Sequence, residues 1–208
     1  MVLNKNFLFL LIGSNEVSII DLKKNTIVYG IIFEDHTIST ICSTEKIFLF
    51  ADAFSHIYSI QTSDFPPLSL TATTQFREEF LDKHPKKSCH IGHKGMVVKI
   101  EHFKDYLFSL SDDKTVKVWS YPDMVLLDEL TGHLNGICSI AFAGQHIYTG
   151  SYDHTIRSWD YNEMIERISE RKIMMAEHFY SMRGEKYKGF LENKKKKKKK
   201  GMKKGMKK

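Results

Sequence analysis

The sequence predicts an all-β fold of repeated four-stranded units, followed by one C-terminal α-helix and a disordered lysine-rich tail. Three observations carry this expectation. Residues 92–160 say the same thing twice at a separation of 40: Gly92-His93 returns as Gly132-His133, and Asp113, Thr115 and Trp119 return as Asp153, Thr155 and Trp159. A repeat of that period is one supersecondary unit that buries its faces only against its neighbours. Short apolar runs separated by Gly, Asn, Asp and Lys recur from residue 7 onward, which is the pattern of strands and tight turns. Residues 161–192 then contain no proline and place Tyr161, Ile165, Ile168, Met175, Phe179 and Met182 on one helical stripe.

Taken in order, residues 1–35 form a degenerate unit with strands at 7–12, 17–21 and 26–29, read as the last three strands of a four-stranded sheet. Laying Ile20-Asp21 on Trp159-Asp160 puts Gly13-Ser14 on Gly150-Ser151 and Glu16 on Asp153. Residues 36–73 form a second degenerate unit, with strands at 38–43, 46–50 and 56–60 and an outer strand at 68–72. Its turn carries Asp52 but no aspartate in register with Asp113, and Ile60 stands where Trp119 would be. Residues 74–91 read as an insertion containing a short helix over 74–84, its lysines turned to solvent around Pro85. The two clear units are 92–131 and 132–160; the first ends in an outer strand at 125–130, and the second has none. The helix of 161–192 replaces it, and Glu163 with Arg167 at i,i+4 adds about 0.3 kcal/mol.

Composition bounds the rest. At 42% hydrophobic and 12% aromatic residues, 208 residues suffice for a core. The formal charge of +6 misleads, because residues 193–208 hold eleven lysines and no acid: Lys194, Lys195, Lys196, Lys197, Lys198, Lys199, Lys200, Lys203, Lys204, Lys207 and Lys208. Without them residues 1–193 carry −5, so polyanion binding belongs to the tail alone. The odd set Cys42, Cys89 and Cys138 fits mostly buried thiols in a reducing, intracellular compartment. The apolar run 7–12 is too short to cross a bilayer and reads as a buried strand.

Residues 92–160 resemble the WD-repeat β-propeller family, with the Gly-His start, the turn aspartate and the tryptophan in phase in both units. The resemblance implies a partial propeller of about three to four blades. It also implies structural tetrads joining His93 with Ser109 or Ser111, Asp113 and Trp119, and His133 with Thr149 or Ser151, Asp153 and Trp159. In that family the Ser, His and Asp are scaffold and not a nucleophilic triad, and each histidine is a satisfied buried group. Three explanations remain for so few blades: a fragment of a longer chain, an arc completed by another chain, or an unusually small propeller. The fragment is favoured.

No other constellation supports chemistry. His84, Cys89, His90 and His93 match no standard zinc spacing, no phosphate loop exists, and Glu78-Glu79 and Asp112-Asp113 read as solvated charge and a turn. No catalytic residue, metal or cofactor is therefore expected. The expected function is a non-enzymatic scaffold or adaptor that binds other proteins through the propeller surface or helix 161–192, the latter also readable as a coiled coil. The alternative is an RNA- or ribosome-associated nucleolar factor whose lysine arm contacts nucleic acid. The tail also resembles a nuclear localisation signal, which leaves cytoplasm and nucleus both open.

Overall fold

The computed structural model describes residues 2–4, 7–23, 25–32, 37–61 and 88–182, with side chains over 8–23, 25, 37–61 and 88–177. The expected outer strand at 68–72, the short helix over 74–84, the end of the long helix and the lysine tail lie outside the described residues. The strands belong to one compact unit that ends at Tyr161, and a second unit begins at Asn162.

Among the described residues fifteen strands form four antiparallel meanders, each with its strands in sequence order. The first sheet contains β1 (Val2–Asn4), β2 (Phe7–Ile12), β3 (Glu16–Asp21) and β4 (Thr26–Ile32). The second contains β5 (Ile38–Ser43), β6 (Ile47–Asp52), β7 (His56–Gln61) and β8 (Ser88–Ile91). β9 (Val97–Phe103), β10 (Tyr106–Ser111), β11 (Thr115–Ser120) and β12 (Leu126–Thr131) make the third. β13 (Ile137–Ala143), β14 (His146–Ser151) and β15 (Ile156–Asp160) make the fourth, which has three strands. The chain continues directly into α1 (Tyr161–Met182).

Three expectations change. The first sheet has four strands, because Val2–Asn4 pairs with β2. The outer strand of the second sheet is β8, which pairs Ile57 with His90 and Ser59 with Ser88, so residues 88–91 are not part of an insertion. Four residues with two polar ones give no periodicity to read. On α1, Met164 and Ile168 are buried while Met175, placed on the apolar stripe, is 71% exposed.

The four hairpins are equivalent without a gap. Leu8, Phe48, Leu107 and Ile147 pair across the strands with Ile20, Ile60, Trp119 and Trp159, and each pair closes the same thirteen-residue hairpin. Counting from these pairs puts Ile20 and Ile60 in the tryptophan position. Ser14, and not Glu16, falls on Asp153, because the turn of the first hairpin runs over 13–15 and Glu16 already belongs to β3.

Side chains alternate between the faces of a strand, so each hairpin has a forward and a rear face. The forward residues Phe9, Val17 and Ile19 of the first sheet pack on the rear residues Phe48, Phe50, Tyr58 and Ile60 of the second. The forward residues Leu49, Ala51 and Ile57 of the second pack on Leu107 and Trp119 of the third. Phe108, on the forward face of the third, lies 5.0 Å from the ring of Phe142 in the fourth. Burial on both faces explains why β6 is apolar or buried at every position and shows no alternation.

This packing sets an expectation for stability. Phe108 is fully buried, so Phe108→Ala should cost about 3–5 kcal/mol in denaturant unfolding. Phe54→Ala, at a site 69% exposed, should stay within about 0.5 kcal/mol of the parent. Equal effects at the two sites would contradict the face assignment.

Candidate functional site

The two clear units build the same network at one end of their sheets. His93 Nδ1 lies 2.8 Å from Asp113 Oδ2 and its Nε2 lies 2.7 Å from Ser109 Oγ, which accepts the Trp119 indole N–H at 2.8 Å. In the fourth sheet His133 lies 2.8 Å from Asp153 and 2.9 Å from Thr149, whose hydroxyl accepts the Trp159 N–H at 2.9 Å. With the indole donating to the hydroxyl, its own O–H is free to donate to a neutral imidazole while Nδ1–H donates to the carboxylate. The residues joined to the histidines are Ser109 and Thr149. Ser111 and Ser151 do a different job: their hydroxyls donate to the carbonyls of Gly95 and Gly136 and accept the N–H of Asp113 and Asp153.

Each aspartate also closes its own turn. Asp113 Oδ1 accepts the Thr115 hydroxyl and N–H, and Oδ2 accepts the Lys94 N–H. Burial raises the Asp113 pKa, but the His93, Lys94 and Thr115 hydrogen bonds together outweigh it and hold the carboxyl well below its ordinary value. Asp153 is lowered in the same direction, chiefly by the Thr155 hydroxyl. The glycine of each Gly-His pair has a physical reason, close approach at Gly92 and a positive φ at Gly132. A Cβ on Gly92 would sit 2.6 Å from Trp119 Cη2, and Gly132, at φ 149°, would bring one to 3.0 Å from Arg157 Nη1.

Ser109, His93 and Asp113 have the distances of a hydrolytic triad, yet Ser109 is fully buried and its oxygen is engaged twice. A hydroxyl so placed has no route to a substrate. The first two hairpins lack the network: Leu10 and Phe50 replace the hydroxyl, and Ser14 and Phe54 replace the aspartate. The second hairpin substitutes another staple, Asp52, which accepts the N–H groups of Phe54 and His56 at 2.9 and 3.0 Å and approaches His56 Nδ1 at 3.0 Å.

The residues considered for soft-metal binding separate. His84 lies outside the described residues, Cys89 is exposed on β8, His90 Nε2 meets Ser59 Oγ at 2.9 Å, and His93 is committed to its network. Among the described residues no group of potential ligands converges on a metal position. Exposure of Cys89 corrects the view that the thiols are mostly buried; Cys42 is buried, and burial first, with Glu101 second, pushes its thiol up to about 12. A cleft of about 490 Å³ between β5 and β9 is lined by Ser39, Cys42, Lys99 and Glu101, the last two ion-paired at 2.8 Å.

A surface feature was not anticipated. Strand direction places the second-to-third-strand turns and the loops entering each inner strand at one end, the end of the networks. There Phe54, Met96, Leu134 and Tyr152 are 69%, 39%, 78% and 58% exposed. The only signal in the sequence is a single large apolar residue at a turn position, for which local pattern supplies no reason. No described helix is long and apolar enough to cross a membrane.

Folding favours the ionised form of Asp113, so this stabilisation is complete above the unfolded value near 3.8 and is lost as pH falls through the folded value. Unfolding free energy should therefore fall with acid below about pH 5. Asp113→Asn should be less stable at pH 7, and its deficit should shrink towards pH 3. A deficit independent of pH, measured by denaturant titration, would contradict this.

The family profile described as WD domain, G-beta repeat matches residues 85–120 and 124–160. No curated protein matches the chain. Among solved structures, the computationally designed Ika4 protein is similar with a TM-score of 0.58 at 14% identity, covering 76% of this chain and 88% of that one. The designed Ika8 protein gives 0.55 at 14% identity, covering 76% of this chain and 44% of the other. A chain of a mitotic checkpoint complex gives 0.55 at 12% identity, covering 73% and 42%. This chain thus spans less than half the length of the last two, and at these identities the likeness concerns the fold alone. Residues 85–120 and 124–160 match the WD-repeat model, and the four successive meanders form a partial β-propeller.

Proposed function

We propose that the chain is a non-enzymatic scaffold that binds other proteins through the network end of its blades. One observation carries this reading: Phe54, Met96, Leu134 and Tyr152 stand exposed on turns and loops of three consecutive sheets. The loops at His93 and His133 are anchored by the hydrogen-bonded networks beneath them. Large apolar side chains on rigid supports lose little entropy on docking and serve as anchors at interfaces. In this reading residues 1–160 are the blades, 161–192 a helical arm and 193–208 an electrostatic arm. A variant carrying Phe54→Ser, Leu134→Ser and Tyr152→Ser should keep its unfolding midpoint and lose its captured partners at least about tenfold, on the scale of truncating interface anchors. Undiminished capture by the folded variant would contradict the proposal.

A second reading rests on the eleven lysines of residues 194–208, which carry no compensating acid. In it the tail holds RNA by phosphate contacts, without base readout, since no aromatic interleaves the lysines. Deleting residues 194–208 should then weaken RNA retention and flatten its dependence on salt. Unchanged binding and slope would remove this reading.

A further inference from the structure

One blade position is aliphatic in all four hairpins. Val17, Ile57 and Val116 are 0%, 1% and 0% exposed, the first two packed against the next sheet, whereas Ile156 is 78% exposed. Its neighbour Tyr148 is 36% exposed where Phe9, Leu49 and Phe108 are buried. The forward face of the fourth sheet is thus built like a covered face, and no described sheet lies on it. The rear face of the first sheet is its counterpart. Leu8, Leu10 and Ile20 are half-buried where Phe48, Phe50 and Ile60 of the second sheet are 0%, 0% and 4% exposed, and Ile12 is 48% exposed.

We infer that these two faces pair between two copies of this chain, the forward face of the fourth sheet of each on the rear face of the first sheet of the other. The occupant follows from the interfaces already present. Each contact between the described sheets joins a forward face to a rear face, so these four sheets present one unmatched surface of each kind. The strong contacts between sheets join consecutive ones, β5 with β9 and β9 and β10 with β13, so the two unmatched faces are not extensively packed on each other within one copy. A head-to-tail contact of unlike faces closes when the rotation per unit completes a circle. Two chains of four sheets make eight, within the range of known propellers. The similarity to the designed proteins is consistent with that arithmetic, since the segment that fills 88% of one designed chain fills 44% of another.

The test is the mass in solution of the full 208-residue chain, treated with nuclease and held in high salt so that the lysine tail cannot bridge through RNA. Light scattering should give about twice 24.2 kDa. Ile156→Glu and Ile12→Glu, both at exposed positions, should each raise the dimer dissociation constant at least tenfold without changing the unfolding transition of the isolated copy. Mixing the two variants should restore a dimer weaker than the parent, because one of its two interfaces is intact. A monomer at all concentrations, a dimer that survives either substitution, or growth without limit would overturn the inference. Loss of dimer in Ile156→Glu alone would also overturn it, since that result describes a symmetric contact of the fourth sheet with itself.

Discussion

The imidazole of His93, held between Asp113 Oδ2 and Ser109 Oγ, is the contact on which the third sheet's geometry depends. It ties the loop entering the inner strand to the turn between the second and third strands, and through Ser109 it fixes the Trp119 indole. Trp119 in turn lies in the core between the second and third sheets. A polar network thereby sets the packing distance between two apolar layers. A buried hydrogen-bonded network specifies one arrangement where apolar contact alone would tolerate several.

The units without the network show what replaces it. The second sheet places Phe50 where the third has Ser109, and Phe48 and Phe50 contact Phe9 and Tyr58 as ring pairs at 5.2 and 4.9 Å. Its turn is held by Asp52, two residues ahead of the position that Asp113 occupies. Ring packing and the Asp52 turn therefore do for the second sheet what the histidine networks do for the third and fourth.

The blades at 92–160 were legible because each unit carries its whole network in one continuous stretch, from His93 to Trp119 and from His133 to Trp159. The identity of the hydroxyl, Ser109 over Ser111 and Thr149 over Ser151, was not legible, since both are small hydroxyls on one face of the strand and only distance separates them. β8 was illegible for another reason: its partner β7 lies before residues 62–87, and a four-residue strand carries no period. The matched repeats explain the open edge, because residues 85–120 and 124–160 each begin with a strand that belongs to the preceding sheet. Among the described residues the fourth sheet has three strands, and Trp159 is half-buried where Trp119 is 2% exposed.

The sequence contains two tryptophans, and each indole N–H is a member of one network. Hydrogen exchange of these two protons, followed by NMR, therefore reads the networks without interference. The account predicts exchange slower than that of free indole by at least roughly tenfold, with Trp119 more protected than Trp159. Exchange of both at the free rate, in a chain that otherwise keeps its β-sheet signals, would contradict it.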